Sequence, residues 1–169
     1  MKQFIDRILS AFETIAIIAA ATALLLIMFS ITIDAFGRYF LNSPLQGQYE
    51  FTSLYLMVIL TFLGMPKIQA LGGHIAVPLF QGLISSIPGR PVERIIFLMS
   101  AAAFSYITWM TGIEALEKIA HRTTTFGAIQ FPTYLSYCWV PVGTALITLR
   151  LLFQSVWPPE PHTGPEPDV

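Results

Sequence analysis

Asp34 and Arg38 stand four residues apart, the spacing at which side chains on one helical face meet, so together they can form an ion pair. Glu50 follows beyond a turn-forming stretch with Asn42, Pro44 and Gly47, completing a charged knot that can lock two helices or dock a partner. A second group, Glu114, Glu117, Lys118, His121 and Arg122, repeats the pattern. Glu114 with Lys118 and Glu117 with His121 fall at the same four-residue interval. Such mixed charge suits a solvated helix end that can touch a soluble protein. His74 lies in Gly73-His74-Ile75-Ala76-Val77 and is read as a structural histidine that hydrogen-bonds the loop before it. Catalysis is not expected. The lone Cys138 rules out an internal disulfide or a Cys-x-x-Cys site, and His74, His121 and His162 do not pair on facing spans as a dihaem centre requires. No serine in an apolar stretch has a histidine or aspartate partner, so no metal, cofactor or enzyme activity is expected.

The elements that carry these residues are set by an unusual solvent. Of 169 residues, 54% are hydrophobic and 11% charged, against roughly 25% charged in a soluble domain. This is the composition of an all-α integral membrane protein. Backbone in lipid must satisfy its own hydrogen bonds, and a helix crossing the hydrocarbon takes about 20 apolar residues. Four stretches qualify, at about 14–33, 49–67, 94–113 and 131–150, inside a membrane domain of 14–153. None carries an acidic, basic or histidine residue through its middle, although such residues usually mark ion paths and proton relays.

Residues 1–13 form an amphipathic lead-in, with Phe4, Ile5, Ile8, Leu9 and Phe12 on one face and Lys2, Asp6 and Glu13 largely off it. The apolar run after them is too long for a cleaved signal, and Asp6 and Glu13 interrupt its basic flank, so it is read as a retained anchor. Between the second and third spans, residues 74–87 place Ile75, Leu79, Phe80, Leu83, Ile84 and Ile87 at helical spacing. That segment is expected to be an amphipathic helix lying in the membrane plane. Ala16, Ala20, Ala101, Ser105, Thr108, Gly112 and Gly143 offer small surfaces for close helix packing, and Pro141 is expected to kink the fourth span against the Tyr137 carbonyl. Residues 154–169 form a proline-rich tail expected to be disordered. With the N-terminus inside, Lys2, Arg7, Lys67, Arg90, Arg94 and Arg150 flank the cytoplasmic ends, and Arg38, Lys118 and Arg122 the outer ones. The excess of basic residues predicts both termini in the cytoplasm. A net charge of −1 with no basic cluster gives nucleic acid no footing.

The order and spacing of particular residues resemble a known family. Asp34-Ala35-Phe36-Gly37-Arg38-Tyr39-Phe40, then Pro44, Glu50, Gly64, Gly73-His74-Ile75-Ala76-Val77 and Pro141-Val142-Gly143 are similar to the DctQ-type small permease subunit of TRAP transporters. The resemblance spans roughly residues 10–155, with Pro78 where family members often carry an acidic residue. It implies a tripartite secondary transporter of the bacterial inner membrane. In such a system a periplasmic binding protein captures an organic acid and a large permease carries it inward with sodium. The small subunit then forms an obligate heteromer with the large permease as its scaffold partner, in contact with membrane lipids, and offers outer surface to the binding protein. A membrane assembly or anchoring protein unconnected with solute movement shares these scaffold features.

Overall fold

The computed structural model describes residues 2–43, 45–72, 91–124 and 131–157. Helix α1 runs without a break over Lys2–Phe40. The second span is assembled from α2 (Gln48–Phe51), a π-helical stretch (Thr52–Leu56) and α3 (Met57–Ala70). Helix α4 occupies Pro91–His121, and the fourth span is α5 (Thr133–Tyr137) followed by α6 (Trp139–Val156). The protein is therefore an all-α membrane protein with four helices long and apolar enough to cross a bilayer. The segment 74–87, with His74, lies outside the described residues, as does the tail from 158 onward.

Local chemistry explains most of the boundaries. At about 1.5 Å per residue, the 39 residues of α1 extend for about 58 Å, well beyond the ~30 Å of a hydrocarbon core. The lead-in and the first span are thus one helix. Hydroxyls that would be stranded in lipid bond back to the preceding turn: Thr14 to Ser10, Thr22 to Ile18 and Thr32 to Met28, at 2.7–2.9 Å. The expected interruption by Pro141 falls at Cys138, between α5 and α6. A proline ring clashes with the carbonyl four residues back, here that of Tyr137.

Packing runs in the order α1, α3, α6, α4, with α1 and α4 at the edges. Only 6% of the apolar window of α4 is buried within the chain, so nearly all of that helix faces lipid or another protein. One core cluster joins Ala16 and Ala20 of α1 to Leu63 of α3, and Gly64 brings α3 close, since a Cβ there would lie 4.0 Å from that of Ala20. A second cluster joins Ala101 of α4 to Ile147 and Leu151 of α6, with Met65, Phe97 and Phe104 packed around it. Small residues let these backbones approach where lipid tails already satisfy apolar surface.

The central seam between α3 and α6 rests on two local departures from regular helix. The Leu54 carbonyl, in the π-helical stretch, accepts the hydroxyl of Ser136, while the Tyr55 hydroxyl donates to the Pro132 carbonyl. Lower in the same helix the buried Pro66 has no N–H to offer the carbonyl of Phe62. That carbonyl faces Gly143 of α6, where a Cβ would stand 2.6 Å from the Phe62 carbonyl carbon and 2.7 Å from its Cβ. Glycine alone fits at that crossing.

Candidate functional site

Polar side chains gather at the two ends of the helices, leaving the apolar middle between them. At the end carrying the loop from 41 to 47, the Arg38 guanidinium meets the Asp34 carboxylate at 2.8 Å. Asp34 also accepts the Leu45 backbone N–H at 3.0 Å and is nearly buried at 7% exposure, while the Arg38 side chain stays 60% exposed. That backbone hydrogen bond, more than the burial that opposes it or the pairing with Arg38, holds the Asp34 carboxyl below the usual aspartate range. Gly37 makes the turn feasible. Its carbonyl accepts both the Leu41 and Ser43 N–H groups at 3.1 Å, Asn42 takes the left-handed conformation (φ 49°), and a Cβ on Gly37 would sit 2.9 Å from the Ser43 oxygen. Glu50, in the first turn of α2, is not joined to this pair; among the described residues its carboxylate has no ion-pair partner.

The second expected group lies at the end of α4. Lys118 pairs with Glu114 at 3.5 Å and stands 4.1 Å over the Tyr137 ring, so it ties α4 to α5 as well as pairing along its own helix. Arg122 is exposed and left-handed (φ 44°), and the chain then turns back. Thr123 accepts the Thr133 N–H at 3.0 Å and its hydroxyl at 2.8 Å. Lys118, His121, Arg122, Thr124 and Thr133 line a shallow groove here, with Tyr137 and Leu54 as its apolar wall. His121 and Glu117 form no ion pair with each other.

At the opposite end the structure assembles a cluster that sequence reading missed. Arg150 of α6 meets Asp6 at 3.0 Å and Glu13 at 3.5 Å, both on α1. Glu13, read from sequence as largely off the apolar face of the lead-in, has no exposed surface. Lys67 of α3 reaches Thr14 at 3.5 Å and lies within electrostatic range of Glu13. Next to it the Gln69 amide donates to Gln154 at 2.7 Å, and Gln154 donates back to the Gln69 carbonyl at 3.3 Å. The available signal was level in the membrane: Glu13 and Arg150 border the first and fourth apolar stretches on the same side. No groups of three or more histidine, cysteine or acidic side chains able to hold a metal occur among the described residues.

Four apolar helices, polar ties confined to their ends and the glycines at 37 and 143 form the frame onto which a family comparison maps. The sequence model for the DctQ component of the tripartite ATP-independent periplasmic transporters matches residues 27–158. The chain belongs to this family. That match takes in the Asp34–Arg38 pair, Gly37, the π-helical stretch and the Gly143 crossing. It is also similar to the ectoine TRAP transporter small permease protein TeaB of Halomonas elongata, with 22% identity over 154 residues, or 90% of this chain and 76% of that protein. No solved structure matches. The DctQ-type chain is thus a small permease component of a TRAP transporter and a multi-pass membrane protein, a role other than catalysis.

Proposed function

We propose that this small permease is the scaffold partner of a large TRAP permease in a sodium-coupled uptake system for organic acids. It lies in the bacterial inner membrane with both termini in the cytoplasm, in an obligate heteromer. The observation that carries this reading is the lack of any acidic, basic or histidine residue through the middle of all four apolar stretches, in a chain whose family is a transporter component. A subunit without charge at mid-membrane has no evident ion path of its own, whereas edge helices with broad apolar faces suit a fixed body against which a neighbour moves. The excess of Lys and Arg at one set of helix ends supports the orientation. His74, on the cytoplasmic side in this orientation, serves as a structural residue of the loop it follows.

The outer loops are proposed to meet the periplasmic binding protein transiently. Arg38 keeps most of its side chain exposed while paired, and Glu114 is 52% exposed, so both retain surface for a partner. Sodium-driven uptake into vesicles holding the large permease and binding protein, with and without this chain, tests the scaffold role. Uptake is expected to be lost without it; full uptake by the large permease alone overturns the reading. Within the complex, Arg38→Ala and Glu50→Ala are expected to weaken uptake or co-purification more than Lys118→Ala, and equal behaviour of the three removes the special status of the first loop.

A further inference from the structure

A fully buried carboxylate with incomplete bonding calls for a reason. Glu13 has no exposed surface, and neither of its oxygens makes a hydrogen bond, nor does the Arg150 Nε that faces it at 3.5 Å. That distance leaves attraction between charges without a formed hydrogen bond. The same guanidinium does bond Asp6, at 3.0 Å, through Nη1. Asp6 and Glu13 are seven residues apart, two helical turns, so one arginine on α6 holds two carboxylates stacked on one face of α1. Lys67 adds a second positive charge from α3, balancing the set.

The consequence lies in what else holds α1. Above Glu13 its seam is built on Ala16 and Ala20 against Leu63 and Gly64, with Ile17, Ile59, Leu60 and Leu146 packed around them, and from Leu24 to Ile33 its large side chains are mostly exposed until Asp34 ties the far end. Below Glu13, Leu9 is buried, but Phe4, Ile5, Ile8 and Phe12 are exposed. An amphipathic segment of that kind, left free, lies flat in the interface. We propose that Arg150 is a positioning residue of the subunit: by gripping Asp6 and Glu13 together it pins α1 to α6 and keeps residues 2–13 in line with the span. This deepens the scaffold reading and rests on it, since a fixed body needs its longest edge helix held at both ends.

Electron-spin distance measurements test the pin in the full chain, co-expressed with its large permease and placed in lipid bilayers, in a Cys138→Ala background. One label pair, at Gln3→Cys and Met99→Cys, spans the pinned end; a second, at Tyr39→Cys and Ala120→Cys, spans the other. Arg150→Gln is expected to broaden the first distribution severalfold and leave the second unchanged. The charge-depleted D6N/E13Q variant leaves Arg150 without carboxylates and repeats the measurement if the first variant does not assemble. An unchanged first distribution overturns the proposal, and so does equal broadening of both, which marks general loosening of the bundle. The outcome is separable from the scaffold role, which vesicle uptake with and without the chain decides by itself.

Discussion

Two glycines in this protein answer to opposite rules. Gly143 faces the Phe62 backbone so closely that any Cβ must displace it, whereas a Cβ on Gly112 meets nothing within 4 Å. Gly143→Ala is therefore expected to lower stability by about 1–3 kcal/mol, the usual cost of overpacking. Gly112→Ala in mid-helix is expected to raise it by up to about 1 kcal/mol, through reduced backbone freedom in the unfolded chain. Thermal unfolding in detergent reads both, and a Gly143→Ala protein as stable as the parent contradicts the crossing described above. Asp34 adds a pH dependence with a definite sign. Its folded value lies below the ordinary 3.8, so its contribution is in force above that pH and is lost as pH falls through the lower, folded value. Asp34→Asn is expected to remove that part of the acid-induced fall in unfolding temperature and to leave the rest.

The second and fourth spans are joined through their irregularities as much as through their regular turns. The π-helical stretch and Pro66 each present a carbonyl of the second span to the fourth, where Ser136 donates to one and Gly143 closes over the other. Tyr55 returns the tie from the other side, and its ring lies near Phe51 and Phe131. Ser136→Ala and Tyr55→Phe each remove one hydrogen bond to a backbone carbonyl, at about 1 kcal/mol apiece. Because both act on the same pair of helices, their combined loss is expected to differ from the sum. A double-mutant cycle on unfolding temperature shows the coupling, and strict additivity means that the two bonds hold separate elements.

Taken together, the four spans make a body whose charged ties sit at its two ends and whose middle holds no acidic, basic or histidine side chain. Under the proposed scaffold role, that distribution suits a body that stays fixed while a neighbour moves against it, because no acidic, basic or histidine side chain stands at mid-membrane. The excess of Lys and Arg at one set of helix ends predicts how the chain sits in the membrane. Single cysteines at Gln3 and Val156 are expected to react with a membrane-impermeant thiol reagent only after spheroplasts are opened, and one at Arg122 in intact spheroplasts. The reverse pattern inverts the proposed orientation and moves the Lys118–Arg122 groove away from any periplasmic protein.

Composition alone determined that the chain lives in lipid, since 11% charged residues cannot cover a soluble surface of this length. Local sequence also placed the Asp34–Arg38 and Glu114–Lys118 pairs, because four-residue spacing on a helix depends on nothing distant. The break near Pro141 was legible for the same reason: it comes from a clash within one turn. Tertiary structure decided that Arg150 meets Asp6 across 144 residues of chain and Glu13 as well, and that Glu50 has no ion-pair partner among the described residues. It also decided that Gly143, and not Gly112, is the glycine that a neighbouring backbone requires. Those facts depend on which helix lies beside which and at what height. In lipid, where apolar faces gain little by choosing one neighbour over another, that order is set by close fit and a few polar ties that periodicity does not encode.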